Sequence, residues 1–294
     1  MNTPIAPKAE HTISRRVSRW LHARPHARLA VLIGAPAAFL LVLYIGSLVA
    51  LFLNSVYRLN EFGSGIEKVI TFDNYRDLRG QVYRDVAIRT VLIAAAVTVI
   101  DAVLALPIAF YIAKVARPGR RNLLVVAVLV PLWASYLVKA FAWRAIIGAP
   151  GGVLDRTWPH WSPGYGEVAL VIVLAYLWLP FMIVPIYAGL ERLPDSLLDA
   201  SSDLGAGFAL TFRSVIMPIL KPSIVAGSVF TFSLTLGDFI AVDLVGGKTQ
   251  MIGSVVYDNF SANLPLASAF AMVPVLIMVL YLVAIRRTGA LENL

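Results

Sequence analysis

Residues 191–222 read ERLPDSLLDASSDLGAGFALTFRSVIMPILKP and form the only long polar interruption in the second half of a chain built of apolar runs. Leu197, Ala200, Ser201 and Leu204 recur at i, i+3, i+4 and i+7, while Asp199 and Asp203 fall on another face, the pattern of a short amphipathic helix. Pro194 suits the first turn of that helix and Gly205 its end. Beyond the glycine, Phe208, Phe212, Val215, Ile216 and Ile219 trace a second helical stripe, which Pro218 and Pro222 are expected to break. The segment therefore predicts helix, glycine turn, helix, lying outside the hydrocarbon of a membrane.

The flanking chain supports a membrane setting. Of 294 residues, 59% are hydrophobic and only 14% charged, well below the roughly 25% charge of soluble domains. Mean hydropathy is +0.78. The fold class is thus an all-α integral membrane protein. A net charge of +8 would suit a nucleic-acid binder, but the basic residues sit in short blocks beside apolar runs, where membrane orientation explains them. No cysteine is present, which excludes disulfides and thiolate chemistry.

Six apolar spans are expected, at about 29–53, 86–113, 122–147, 167–190, 222–243 and 266–285, within a transmembrane domain covering 29–287. The first follows a basic tail, 1–28, and is too long for a signal-peptide core. Thr71 to Arg76 predicts a short helix in an external loop, and Ile252 to Phe260 another. Residues 114–121, KVARPGRR, carry four basic residues and no acid around a Pro-Gly turn. By the positive-inside rule this loop is cytoplasmic, as are the loop at 191–221, the tail 1–28, and the C-terminal tail 288–294 that follows Arg286 and Arg287. Together these regions hold 15 Lys and Arg, against 6 between residues 54 and 89. Both termini are therefore expected in the cytoplasm.

Asp199-Ala200-Ser201, then Gly205, then Ile216-Met217-Pro218 resemble the EAA signature of binding-protein-dependent ABC-transporter permeases, in spacing and in position before the penultimate span. Asp199 replaces the family's glutamate and Ser201 its second alanine. The stretches WLPFMIVPIYAGLERLPDSLLDASSDLGA, PILKPSIVAGSVFTFSLTLGDFIAVDLVGG and WASYLVKAFAWRAIIG resemble the spermidine/putrescine-type subfamily. The resemblance covers roughly residues 29–287. It implies a type I importer permease fold in a bacterial inner membrane. It also implies an ABC ATPase pair as partner, a second homologous permease, a periplasmic or extracellular substrate-binding protein, and a polyamine or another small solute as cargo. Asp199, Ala200, Ser201, Gly205, Ile216 and Pro218 would then couple the chain to the ATPase, with ATP and magnesium used there and no cofactor on this chain. Independently, an acidic helix ending in a glycine reversal suits a groove on a protein partner better than lipid headgroups, since residues 191–205 carry four acids and one arginine.

Charged residues within the spans form a second set. Asp101 and Asp238 are expected deep in the second and fifth spans, on a substrate pathway with Tyr136 and Lys139, where they would attract a cation. The competing reading pairs both aspartates with Lys139 and Arg144 as structural ion pairs. A self-contained channel or ion-coupled transporter would use the same residues as a relay, but does not need the loop at 191–221. Gly246-Gly247-Lys248-Thr249 imitates a phosphate-binding loop, yet Val242 occupies the earlier glycine position. His160 stands alone between Trp158 and Trp161, without partners for a metal. Catalytic and metal-binding residues are accordingly not expected.

Overall fold

The computed structural model describes residues 25–60, 65–148, 151–158 and 162–286. Most of the expected N-terminal tail, His160 with Trp161, Arg287 and residues 288–294 lie outside this description. The chain divides into two compact units, Met1–Leu53 and Asn54–Leu294. Helix α1, Pro25–Ser55, accounts for the described part of the first unit, and its stretch Pro36–Ser55 has a mean hydropathy of 2.4.

The second unit opens with a two-stranded antiparallel hairpin, β1 (Arg58–Leu59) and β2 (Ile66–Glu67), closed by Arg58 Nε donating to Glu67 Oε2 at 2.7 Å. The short helix α2, Asp73–Asp77, follows, and buried Asn74 donates to the carbonyls of Ser55 and Tyr57. Helix α3 runs over Gln81–Val115, α4 over Pro118–Trp133, α5 over Tyr136–Ile147 and α6 over Val153–Thr157. Then come α7 (Glu167–Arg192), α8 (Asp195–Asp203), α9 (Phe208–Leu236), α10 (Ile240–Val245), α11 (Ile252–Phe260) and α12 (Leu264–Arg286).

Among the described residues, five helices are long and apolar enough to cross a membrane, and the bent pair α4 and α5, counted as one span, makes six. These two pieces meet at 93°, where a single span was expected. Ala134 and Ser135 adopt extended backbone angles, so the helix stops at Trp133 and restarts at Tyr136 in a new direction. A second break falls at 237–239, between α9 and α10, inside the expected fifth span. The expected break at Pro218 and Pro222 does not occur. Helix α9 runs through both, with a wider π-type turn at Phe212–Ile216 just ahead of Pro218. A proline lacks the N–H that would bond the preceding turn, and a locally widened turn is one way a helix absorbs that loss.

Helix α7 is the centre of the unit. In its first half, Val173, Leu174 and Leu177 pack with Ile93 and Val97 of α3, Ala140 and Ile147 of α5, and Ala241 and Val242 of α10. In its second half, Met182, Ile186 and Leu190 pack with Ala105 and Ala109 of α3, and Ile216 and Leu220 of α9. Glycines let α7 and α9 approach closely: a Cβ on Gly189 would collide with Ser223, and one on Gly227 would lie 2.5 Å from Met182 Sδ. In lipid, where apolar burial drives helix association little, such close backbone approach supplies much of the packing energy.

Candidate functional site

Helix α8 is set by its ends. Pro194 is extended and starts it, and Gly205 closes it with φ +77°, a conformation that costs other L-residues steric strain. The N–H of Ala206 bonds Ser201 O at 3.0 Å and that of Gly205 bonds Ser202 O at 2.8 Å, the paired bonds of a Schellman C-cap. No atom lies within 4 Å of where a Gly205 Cβ would sit, so the glycine answers to backbone geometry alone.

The expected apolar stripe divides. Ser201 is buried, and Leu198 packs into the α7–α9 core, whereas Leu197, Ala200 and Leu204 are exposed, Leu204 by 87%. Phe208 (66% exposed) and Leu210 extend this uncovered apolar surface past the turn, and Phe208 is steadied edge-on by Phe110 at 5.7 Å. Asp199, Gly205 and Pro218 are also exposed, while Ile216 is buried at the start of the α9 core. The motif thus separates into an outward set, Asp199, Ala200, Gly205 and Pro218, and an anchoring set, Ser201 and Ile216.

Thr211 is a member of this site that the sequence did not announce. Its hydroxyl lies 2.7 Å from that of Ser201, both residues buried, and the bond ties α8 to the start of α9. The loop 114–121 supplies two more ties. Lys114 Nζ donates at 2.6 Å to Leu193 O and to Asp195 Oδ1. Arg121 Nη2 donates to Glu191 Oε1 at 2.6 Å, and its Nε donates to the Tyr187 hydroxyl at 3.1 Å. Hydrogen bonding from Lys114, then its charge, holds the Asp195 carboxyl below the ordinary carboxylate value. The basic loop and the acidic segment therefore lie at one end of the helical bundle, interlocked by opposite charges.

The residues expected on a pathway gather only in part. Tyr136, on the first turn of α5, donates its hydroxyl to Asp238 Oδ2 at 2.6 Å, and the N–H of Ala241 donates to Asp238 Oδ1 at 2.9 Å. Asp238 thereby joins α5 to the first turn of α10, and the two broken spans meet at one carboxylate. Lys139 turns elsewhere: its Nζ donates to Pro131 O at 3.0 Å, satisfying a carbonyl freed at the 93° bend. Among the described residues, neither Asp101 nor Asp238 has a Lys or Arg nitrogen within 4.0 Å, and the ion pairs found involve other residues. Asp101 is fully buried in α3, and among the described residues neither of its oxygens has a hydrogen-bond partner. Beyond the second break, Phe239, Asp243, Lys248, Tyr257 and Asp258 help to line a polar hollow of about 220 Å³.

Residues 86–288 match the family described as binding-protein-dependent transport system inner membrane component. The chain is 39% identical over 299 residues to the inner membrane ABC transporter permease protein YdcU of Escherichia coli, covering 95% of each. It is 32% identical over 236 residues to the spermidine/putrescine transport system permease protein PotB of Haemophilus influenzae, covering 76% of this chain and 81% of that one. In fold, it resembles a chain of the bacterial alginate ABC transporter in complex with alginate pentasaccharide-bound periplasmic protein. The TM-score there is 0.71 at 13% identity, over 93% of this chain and 98% of the other. The inward-facing MetNI methionine ABC transporter gives 0.53 at 18% identity, over 71% and 97%. An apolar helical bundle, a glycine-capped helix between its last long helices, and this agreement over most of the chain lead to one conclusion: the protein belongs to the binding-protein-dependent transport system inner membrane components, as a multi-pass inner-membrane permease of an ABC importer for a small solute.

Proposed function

We propose that this permease carries a polyamine such as spermidine or putrescine from an external binding protein into the cytoplasm. It does so with a second, homologous permease and a pair of ABC ATPase subunits that hydrolyse ATP with magnesium. Both termini and the segment 191–221 lie on the cytoplasmic side. The observation that carries the ATPase docking is the surface of α8 and its turn, where Leu197, Leu204, Phe208 and Leu210 are uncovered beside Asp199, on a helix anchored by Ser201, Ile216, Lys114 and Arg121. A rigid, apolar and acidic projection of this kind seats in a groove of a soluble partner. Helix α9 starts directly after the glycine turn and runs unbroken from Phe208 to Leu236, so movement of the ATPase passes to the bundle.

The polyamine reading is supported by the resemblance to the PotB proteins and by Asp238, a carboxylate held between α5 and α10 that has no Lys or Arg nitrogen within 4.0 Å among the described residues. Broken helices in transporters often mark where a charged substrate is met. The test is uptake into proteoliposomes carrying the whole complex and its binding protein, comparing putrescine and spermidine with neutral and anionic solutes. ATP-dependent uptake of the amines is expected. Uptake confined to neutral or anionic solutes overturns the polyamine assignment.

A further inference from the structure

Asp238 lies at the end of a run of aromatic rings, the first two of which, Tyr136 and Trp178, also pack against the α7 core. Tyr136, which bonds Asp238, stacks on Trp178 of α7 with centroids 5.7 Å apart and planes 19° apart. Trp178 lies 5.9 Å from Phe181, and Phe181 lies 6.3 Å from Phe230 of α9. Three helices thus contribute one continuous series of rings. None of the four is buried in full, and Phe230 is 51% exposed. Phe230 lies six residues, about 9 Å of helix rise, before the end of α9 at Leu236, and Asp238 follows two residues later, so the series extends along α9 away from the carboxylate.

We propose that Tyr136, Trp178, Phe181, Phe230 and Asp238 form a subsite for a linear alkyl polyammonium ion, a deepening that rests on the polyamine import proposed above. Ring faces attract ammonium groups and also accept the methylene groups between them, so a flexible polycation can lie along such a series with every part of its length in favourable contact. The ring-to-ring spacing is comparable with the separation of successive amino groups in an extended diamine. Asp238 gives the series a polarity. Its Oδ2 is already held by the Tyr136 hydroxyl, so an arriving ammonium exchanges with that hydroxyl at a carboxylate whose orientation the Ala241 N–H fixes. A neutral diol of equal length gains little from either the rings or the carboxylate, which makes charge the discriminating property.

The test is equilibrium binding of labelled putrescine to the purified complex in nanodiscs, without the binding protein, beside uptake by the same complex with it. Saturable binding is expected, competed by spermidine and not by butane-1,4-diol. Phe230→Leu and Trp178→Leu are each expected to raise Kd about tenfold, while Trp178→Tyr, which keeps a ring, stays near the wild-type value. Among the described residues the Trp178 Nε1–H has no hydrogen-bond partner, so removing the indole forfeits no polar contact there, and half-exposed Phe230 offers a variant with little packing to lose. Leucine variants that bind putrescine as tightly as the wild type overturn the subsite. Wild-type complex that imports putrescine but shows no saturable binding of it also overturns the subsite and leaves the transport assignment standing. Wild-type complex that imports no amine overturns both.

Discussion

Lys114 spans the joint between α7 and α8: its ammonium donates at 2.6 Å both to Leu193 O, at the end of α7, and to Asp195 Oδ1, in the first turn of α8. The Lys114 side chain is 10% exposed and that of Asp195 80%, so the ion pair is screened on one side only. The buried end, the bond to a helix-terminal carbonyl, fixes the angle at which α8 leaves the bundle. Arg121 repeats the arrangement one turn earlier through Glu191 and Tyr187. In the proposed coupling, these bonds turn a projecting helix into a lever.

Acid should loosen that joint. The folded Asp195 carboxyl titrates below its ordinary value of 3.8, so the native state binds its proton less readily than the unfolded chain. The contribution of the pair is then complete above the ordinary carboxylate range and is lost as pH falls through the lowered folded value. Protection factors of the α8 amides, that is, hydrogen exchange relative to the intrinsic rate at each pH, are expected to be flat from neutral pH down to that range and to fall below it. Asp195→Asn should abolish the acid step while leaving the rest of the profile in place.

Ser201 and Thr211 should behave as a unit. Ser201→Ala leaves the buried Thr211 hydroxyl without its partner and is expected to cost about 1 kcal/mol, as is Thr211→Val. The double variant should cost less than the sum of the two, because it leaves no orphaned hydroxyl. Thermal unfolding of the purified complex measures the cycle, and strict additivity would show that the 2.7 Å bond contributes nothing.

Gly205 answers to φ rather than to space. Gly205→Ala meets no neighbour, so its cost is the conformational strain of a left-handed residue, about 1 kcal/mol, with ATPase association weakened but present. Gly205→Pro fixes φ near −65° and cannot form the cap. Its ATPase co-purification is expected to be lost with membrane insertion intact, and unchanged co-purification would contradict the account.

Tyr136→Phe removes the hydroxyl from Asp238 Oδ2 and leaves a carboxylate oxygen unpaired where the residue is only 7% exposed. A loss of about 1–3 kcal/mol is expected in thermal unfolding. Asp238→Asn keeps a carbonyl to accept the Ala241 N–H and gains an amide donor for the Tyr136 oxygen, so it should melt closer to the wild type while losing its attraction for amine substrates.

The helix and glycine turn of residues 191–221 were largely legible in the sequence because their signals are local. Pro194 and Gly205 mark the ends of α8, and the periodicity of its residues gives its faces. Periodicity says which residues share a face, however, and not what covers that face. Leu197 and Leu204 share the face of Ser201 in the periodicity, yet the core takes Leu198 and Ser201 and leaves both leucines exposed. Thr211 was invisible for the same reason, since its partner is ten residues away and across a turn. The helix breaks failed in opposite directions. Pro218 and Pro222 signal a break that α9 avoids with one widened turn, whereas Ala134 and Ser135 carry no break signal yet accompany a 93° bend whose freed carbonyl Lys139 satisfies. The alternative pairing of the aspartates with Lys139 and Arg144 likewise gave way to geometry, because charge sign alone does not choose among partners.

The central claim is that α8 and its glycine turn transmit work from an ATPase. Its most direct measurement is substrate uptake in inner-membrane vesicles carrying the complete complex, with and without the ATPase subunits. The account predicts uptake that requires ATP and those subunits together and that Gly205→Pro abolishes. Uptake that persists when the ATPase is absent would contradict it.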